Sequence, residues 1–160
     1  MINNILLSII IPTKNRNTTL FQVVNSILDN IKETNYEIIV QDNSDCNKEA
    51  LSFFNNLTVK GIVKYFYNGN AMPISDNTEL ALKNSKGRYL CFIGDDDFVS
   101  PQICEITNDL YKKDISCLIY NAGYYWWDSV KFSKETYYHQ PKKLWFPEKI
   151  NKTFLPFNTD

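Results

Sequence analysis

The sequence has little glycine, a single histidine and almost no net charge. Its five glycines form neither the G-x-G-x-x-G loop of dinucleotide-binding proteins nor a phosphate-binding loop with its lysine. The 17 basic and 18 acidic residues give a net charge of −1, which leaves no polycationic surface for nucleic acid. His139 fits no Ser-His-Asp arrangement, and its tyrosine-rich surroundings favour a surface or hairpin histidine over a ligand or base. We therefore expect no nucleic-acid partner and no glycine-rich phosphate cradle.

Long hydrophobic runs and paired cysteines are also missing. No apolar stretch approaches the roughly 20 residues that cross a bilayer. The N-terminal stretch has neither a basic region nor a small-residue cleavage site, so it is interpreted as a strand rather than a signal peptide. Cys46, Cys91, Cys104 and Cys117 show no metal-ligand spacing. Cys91 and Cys117 lie in strand-like runs and Cys104 in a helix-like one, so we expect buried free thiols in a reducing cytoplasm. These absences indicate a cytoplasmic chain without a transmembrane segment.

What the sequence does contain is a regular alternation of strand-like and helix-like segments. Strands are predicted at Ile5–Ile11, Glu37–Val40, Ile62–Phe66, Tyr89–Ile93 and Ile115–Ala122. Helices are predicted from Leu20 to Ile31, Lys48 to Asn55, Ile74 to Ser85 and Pro101 to about Lys113. This alternation predicts an α/β fold with a mainly parallel sheet flanked by helices and right-handed crossovers. A length of 160 residues suits one domain with a real core.

The stretch RYLCFIGDDDFVSP, from Arg88 to Pro101, organises the rest of the chain. The strand Tyr89–Ile93 ends at Gly94 and is followed by Asp95, Asp96 and Asp97. Three adjacent carboxylates at the end of a buried strand favour a bound cation, and oxygen ligands suit Mg²⁺ or Mn²⁺ bridging to a substrate phosphate. The alternative is a solvated acidic turn that leads into the next helix.

Two other predicted strands end in polar clusters, at Thr13–Arg16 and Asp42–Asp45. Parallel strands bring these ends to one sheet edge, where the loops can build a single pocket. Thr13, Asn15 and Arg16 could line a nucleotide, with Arg16 towards phosphate. Their alternative role is to cap the first helix, for which Asn17 or Thr18 is the better candidate.

Asp42 could accept a hydrogen bond from a nucleobase edge or from ribose hydroxyls. The alternative for this residue is an Asx turn. The last third of the chain is rich in aromatics, and Trp126, Trp127 and Trp145 could stack on a sugar, although core packing is the simpler role.

The three stretches SIIIPTKNR, EIIVQDNSD and YLCFIGDDDFVSP, in this order, resemble the nucleotide-binding half of the inverting glycosyltransferases of family 2, which have the Rossmann-like GT-A fold. The resemblance covers roughly Leu7 to Ala122. The stretch NTELALKNSKGRY, from Asn77 to Tyr89, also resembles the helix and K-G-x-Y approach before the family's metal motif. Two positions depart from the family pattern, because Gln41 stands where the first Asp is frequent and Gly94 where a longer acidic motif begins.

The resemblance implies roles for individual residues. Pro12 and Thr13 would flank the nucleoside, and Asn77 would support the donor pocket. Asp42, followed by Ser44 in the family's D-D-x-S pattern, would accept a hydrogen bond from the base, usually uracil. Asp96 would be the principal ligand of Mn²⁺ or Mg²⁺, helped by Asp95 or by Asp97. The alternative role of Asp95 is to face the ribose.

The resemblance further implies transfer of a sugar from a nucleoside diphosphate sugar, a UDP-sugar above all, to a glycan or lipid-linked acceptor in bacterial polysaccharide biosynthesis. Residues 1–122 would be the nucleotide-sugar-binding domain, and residues 123–160 its aromatic-rich continuation at the start of the acceptor side. The catalytic base is unknown. Asp128 and Glu135 qualify by position alone, and the base normally lies beyond this half of the protein.

We also expect the chain to be the front part of a longer protein, acting in the cytoplasm with possible peripheral membrane association. Two other functions stay open on the sequence alone. A Mg²⁺-dependent phosphotransfer or receiver-type domain also gathers acids at parallel strand ends, but it needs a lysine at a later strand end, where Gly123-Tyr124 stand. A catalytically incomplete binding module would use the aromatic tail as an interaction surface.

Overall fold

The computed structural model describes residues 5–57 and 61–118. Apart from Leu118, the described residues belong to one compact unit. Strands are β1 (Leu7–Thr13), β2 (Tyr36–Asp42), β3 (Val63–Tyr67) and β4 (Tyr89–Phe92). Helices are α1 (Asn17–Asn30), α2 (Lys48–Asn56), α3 (Ile74–Asn84) and α4 (Ile103–Lys112). The predicted α/β alternation is confirmed over these residues.

The four strands form one parallel sheet in the order β3-β2-β1-β4. β1 and β2 lie at its centre and are buried along almost their whole length, which explains their near-continuous apolar sequence. Thr13 pairs with Asp42 at the carboxyl ends of β1 and β2. The sheet therefore brings the loops after β1, β2 and β4 to a common edge.

The helices follow the predicted spacing more closely than the predicted caps. In α1 the buried residues Leu20, Val23, Val24 and Ile27 lie on one stripe. Its N-cap is Arg16 and no side chain caps it, so Asn17 and Thr18 do not have the capping role. α4 begins two residues after the predicted Pro101, with Gln102 as N-cap. In α2 the buried position is Ala50, whereas Leu51, expected inside, is 40% exposed.

β4 is an edge strand of the described sheet, and the expectation that it is buried is wrong. Leu90 and Phe92, which share one face of β4, are 45% and 47% exposed. The opposite set, Tyr89 and Cys91, is only partly exposed. The sequence run Tyr89–Ile93 is apolar throughout, so alternation could not reveal the open face.

A buried polar network fixes how β4 approaches the sheet. Glu37 on β2 is fully buried and accepts hydrogen bonds from Ser8 Oγ at 2.6 Å, Lys86 N at 2.5 Å and Lys64 Nζ at 2.5 Å. Gly87 N donates to Ser8 Oγ at 2.8 Å. Burial by itself would raise the pKa of Glu37, but the hydrogen bonds from Lys64, Ser8 and Lys86 outweigh it and lower the pKa. The segment that enters β4 is thus tied to β1 and β2 by side chains as well as by the ladder.

The strand predicted at the end of the described chain is not formed by the residues that are described. Residues 115–118 are not in a strand, and Ile115 and Leu118 are exposed; the remainder of the predicted strand, to Ala122, lies outside the described residues.

Of the cysteines expected to be buried, Cys104 is buried, Cys91 is half-buried and Cys117 is exposed. Burial raises the pKa of the Cys104 thiol to about 12, which keeps it protonated and unreactive. In the described part of the chain, no helix is long and apolar enough to span a membrane.

Candidate functional site

A cavity of about 370 Å³ opens where the loops after β1, β2 and β4 meet the start of α3. The three polar clusters singled out in the sequence therefore do converge at one sheet edge. The lining comes from Pro12, Thr13, Lys14 and Arg16 after β1, Asn43 after β2, Met72, Ile74 and Asn77 at α3, and Gly94, Asp95 and Asp96 after β4.

Arg16 joins the two carboxylates at the β4 end of the cavity. Its guanidinium lies 3.1 Å from Asp95 Oδ1 and 2.5 Å from Asp96 Oδ2. The hydrogen bond to Asp96 is the main reason that the pKa of Arg16 is raised further. Asp95 and Asp96 thus converge on a positive charge.

Asp95 and Asp96 differ sharply in their surroundings. The side chain of Asp95 is 6% exposed and that of Asp96 is 48% exposed. Asp95 Oδ2 accepts a hydrogen bond from Thr13 Oγ1 at 2.7 Å. Burial raises the pKa of Asp95, and the Thr13 hydroxyl and the Arg16 charge offset this only in part. Asp95 is the anchored carboxylate, and Asp96 is the one that reaches the open cavity.

Asp97, the third member of the acidic triplet, turns away from this pair. Its Oδ2 accepts a hydrogen bond from Gly94 N at 2.7 Å and so closes its own turn. Asp97 does not line the cavity. In residues 5–57 and 61–118, no three His, Cys, Asp or Glu side chains are arranged to hold a metal ion by themselves.

The loop that carries Arg16 is held by the loop after β2. Asn15 has a positive φ of 58°. Its Nδ2 donates to Asp45 Oδ2 at 2.8 Å, and its Oδ1 accepts a hydrogen bond from Asp45 N at 3.0 Å. Asn15 N also donates to Ser44 Oγ at 2.7 Å. Asn15 and Ser44, both expected at the nucleotide, therefore connect the two loops and do not line the cavity. Their contacts fix the backbone from which Arg16 extends.

Asp42 lies behind the cavity wall. It is fully buried, Oδ1 accepts from Ser44 N at 2.7 Å and Oδ2 accepts from Tyr65 OH at 2.6 Å. Tyr65 in turn stacks on Phe54 with ring centroids 4.6 Å apart. Burial and the Asp42 carboxylate raise the pKa of Tyr65, so its hydroxyl stays a donor. The Asx-turn alternative for Asp42 matches the contact with Ser44 N.

Asn77, one turn into α3, is 2% exposed and belongs to the lining. Its Nδ2 donates to Gln41 O at 2.9 Å.

Sequence reasoning missed Lys14, Asn43, Met72 and Ile74 as lining residues. Asn43 Nδ2 donates to Met72 O at 3.2 Å, a contact between two loops that no local pattern could indicate. Asp128, Glu135, His139 and the three tryptophans lie outside the described residues.

The family model for glycosyl transferase family 2 matches residues 8–158. The chain belongs to this family. Its match extends over β1, β2 and the acidic turn after β4, the segments whose loops build the cavity. The resemblance carried by the three sequence motifs is thereby confirmed.

The curated relatives of this family 2 chain are glycosyltransferases. It is 34% identical over 118 residues to the poly(ribitol-phosphate) β-N-acetylglucosaminyltransferase TarP of Staphylococcus aureus, covering 70% of the chain and 35% of TarP. It is 28% identical over 155 residues to an uncharacterized glycosyltransferase of Rickettsia typhi, covering 94% of the chain and 46% of that protein. The chain thus spans less than half of the length of these relatives.

Among solved structures, this family 2 chain is similar to residues 1–349 of S. aureus TarS in complex with UDP-GlcNAc, with a TM-score of 0.58 at 20% identity. The similarity covers 68% of the chain and 31% of that structure. At this identity the similarity shows the fold, which is the GT-A arrangement expected from the sequence motifs.

Proposed function

We propose that this chain binds a nucleoside diphosphate sugar, with UDP as the nucleotide, together with Mn²⁺ or Mg²⁺, as the donor-binding part of an inverting glycosyltransferase. The observation that carries the proposal is the meeting of Asp95 and Asp96 on one positive charge inside the cavity. Family membership and the TarS complexes with UDP-GlcNAc and UDP support the choice of nucleotide.

The carboxylates suit a divalent cation, because they already converge on the guanidinium of Arg16. Asp96 would be the principal ligand and Asp95 its helper, since Asp97 is engaged by Gly94 N. Two carboxylates leave positions for phosphate oxygens and water, as in most protein sites for Mg²⁺. Bound there, the ion would offset the negative charge that develops on the diphosphate leaving group.

The chain's own residues would supply orientation. Thr13 Oγ1 holds the Asp95 carboxylate, and Arg16, once released from Asp96, is within reach of a phosphate. Pro12 and Thr13 would lie beside the nucleoside. We assign Asp42 a positioning role rather than the direct contact with the base that the sequence suggests, because its Oδ1 holds the loop after β2 through Ser44 N and its Oδ2 holds Tyr65 on β3.

For the whole protein we propose a glycan or lipid-linked acceptor and work at the cytoplasmic face of a membrane. Residues 1–122 would bind the nucleotide sugar, and residues 123–160 would begin the acceptor side. Both proposals follow from the family.

Calorimetric titration with UDP, in Mn²⁺ and in EDTA, tests the proposal. We expect UDP to bind with Mn²⁺ and at least about tenfold more weakly without it, because a charge-assisted contact is lost. Asp96→Asn should remove the difference between Mn²⁺ and EDTA while the circular dichroism spectrum stays that of the unaltered chain. Asp97→Asn is the matched control and should keep the metal dependence. No binding of any nucleoside diphosphate, with or without metal, would contradict the proposal.

A further inference from the structure

Lys14 is a cation of the cavity wall whose side chain has no partner in the described part of the chain. It lines the cavity and is exposed to solvent. Among residues 5–57 and 61–118, no carboxylate or other acceptor binds its ammonium group. Neither the sequence motifs nor the proposed metal site gives this lysine a role.

The backbone at Lys14 is held on both sides. Thr13, at the end of β1, donates through its hydroxyl to Asp95 Oδ2 at 2.7 Å. On the other side, Asn15 N donates to Ser44 Oγ at 2.7 Å. The base of the Lys14 side chain is therefore fixed, whereas its flexible four-carbon stem can carry the ammonium group towards a charge in the cavity.

The acids nearest to this lysine in the site already have other partners. Asp95 and Asp96 pair with Arg16. Asp45, in the loop after β2, accepts a hydrogen bond from Asn15 Nδ2 at 2.8 Å. The ammonium group is thus the positive charge of the described lining that no acid neutralises.

The charges of the described lining show what Lys14 adds. Without it, the carboxylates of Asp95 and Asp96 would face one guanidinium, and the wall would carry a net negative charge. Such a wall repels a diphosphate. With Lys14 the positive and negative charges of the lining are equal in number, and a bound divalent cation would make the wall positive.

Arg16 does not offer the same contact in the empty cavity, because both carboxylates hold it. A phosphate that reaches Arg16 first has to replace Asp96, whereas a phosphate that reaches Lys14 breaks no contact of the described residues. The ammonium group has three donors and a compact charge, which suit phosphate oxygens.

We propose that the ammonium group of Lys14 contacts the diphosphate of the bound nucleotide and makes Lys14 a phosphate-binding residue of the donor site. The proposal rests on the proposed function and deepens it, because it gives the phosphates a partner that is available before the metal ion arrives. Arg16 then has a separate task, since it holds the two carboxylates together until the cation takes its place.

Calorimetric titration of UDP in Mn²⁺ with three variants tests the inference. Lys14→Met keeps an apolar stem without the charge and should bind UDP about fivefold more weakly than the unaltered chain. Lys14→Arg keeps the charge and should bind UDP within about twofold of the unaltered chain. Lys112→Met is the matched control, because Lys112 is an exposed lysine outside the lining, and its affinity for UDP should be unchanged.

The outcomes separate this inference from the proposed function. UDP binding of equal strength in Lys14→Met and in the unaltered chain overturns the inference and leaves the proposed function in place. Equal losses in Lys14→Met and Lys14→Arg also overturn it, since the charge would then not be what the ligand contacts. A chain that binds no nucleoside diphosphate defeats both.

A second measurement needs no variant. Lysine side chains of the unaltered chain are acetylated with an N-hydroxysuccinimide ester, and peptide mass spectrometry measures the rate at each position. Saturating UDP in Mn²⁺ should slow the labelling of Lys14 about fivefold, because a bound phosphate stabilises the protonated ammonium group, which does not react. Uridine should leave the labelling of Lys14 unchanged, and neither ligand should change that of Lys112.

Two results of the labelling experiment would overturn the inference. One is a labelling rate of Lys14 that saturating UDP does not alter. The other is protection by uridine equal to that by UDP, which would place Lys14 beside the nucleoside instead of the phosphates.

Discussion

Arg16 decides the electrostatics of the cavity at the scale of single residues. Its guanidinium pairs with two carboxylates that otherwise repel each other, one of them almost fully buried, and offsets part of their charge. A divalent cation placed at Asp96 has to compete with this charge. The same residue is the N-cap of α1, so its position is set by the helix start as well as by the acids.

We predict that Arg16→Ala binds Mn²⁺ about 5- to 10-fold more tightly than the unaltered chain when no nucleotide is present, because a competing positive charge is removed from a partly solvated site. Electron paramagnetic resonance of free Mn²⁺ measures this affinity. Arg88→Ala makes the same change in net charge away from the cavity and should have no effect. Unchanged or weaker Mn²⁺ binding in Arg16→Ala would show that Arg16 does not occupy the cation position.

Glu37 gives a second prediction at this scale, on pH. Hydrogen bonds lower its pKa in the folded state, so the unfolded chain binds more protons and the free energy of unfolding decreases as the pH falls below about 4.3. Glu37→Gln should lose this part of the acid dependence and lose about 2 kcal/mol at pH 7, since the bonds to a charged acceptor are weakened. Urea unfolding between pH 7 and pH 3 measures both effects.

Glu79→Gln is the control for Glu37. The pKa of Glu79 is also lowered, by Lys83, but this pair lies on the surface and contributes little to stability. If Glu37→Gln and Glu79→Gln showed the same small change at every pH, the buried network would not be stabilising the sheet.

At the scale of elements, the approach to β4 depends on one close contact. A Cβ on Gly87 would lie 2.4 Å from Ser8 N and 2.6 Å from Ser8 Oγ, so only glycine fits there. This is the physical reason for the glycine of the K-G-x-Y stretch, whose role the sequence indicated only by resemblance. The contact sets β4 beside β1 and thereby determines where the acidic turn begins.

We predict that Gly87→Ala lowers the free energy of unfolding by about 3 kcal/mol, because the backbone of β1 cannot move aside as a side chain can. Chemical denaturation at pH 7 measures it. Gly69→Ala is the matched control, since the atoms nearest to its added Cβ belong to the Tyr67 side chain, which is 39% exposed and can shift. A loss in Gly87→Ala no greater than in Gly69→Ala would contradict this explanation.

The helix ends show how far local patterns reach at this scale. Apolar spacing predicted α1 and α3 to within a few residues, because burial of one stripe requires it. The caps were not predictable, since Arg16 is drawn to Asp95 and Asp96 some 80 residues later in the chain. The open face of β4 was not predictable either, since an apolar run has the same composition whether one or both faces are covered.

At the scale of the whole molecule, the cavity proposed to bind the donor has no carboxylate available as a catalytic base among the residues that the structure describes. Its carboxylates, in the part of the chain that the structure describes, are Asp95 and Asp96, and both are paired with Arg16. A general base needs a carboxylate available to the acceptor hydroxyl. In a protein of this family, donor binding and removal of the acceptor's proton would then be carried out by different parts of the chain.

We predict that this chain binds UDP-sugars in Mn²⁺ but releases UDP from them only slowly, with or without added glycan acceptors. Calorimetry measures the binding and a coupled assay of free UDP measures the turnover. Turnover at about 1 s⁻¹ or faster, the lower end of ordinary enzyme rates, would contradict the prediction. A base inside the chain could then be located by substituting Asp128 and Glu135 in turn.

The sequence by itself determined the parallel α/β sheet, the family and the convergence of three loops, because apolar runs, helical spacing and strand-end clusters are local and parallel strands share an edge. Only the tertiary structure decided the roles within the site. In the structure Asp97 bonds within its own turn and Asp42 is buried with both oxygens hydrogen-bonded. Asn77 Oδ1 has no hydrogen-bond partner among the described residues. The reason is that the hydrogen-bond partners of a side chain depend on which residues lie beside it in three dimensions. Among the described residues such partners are as far apart in sequence as Thr13 and Asp95, which are separated by 82 positions.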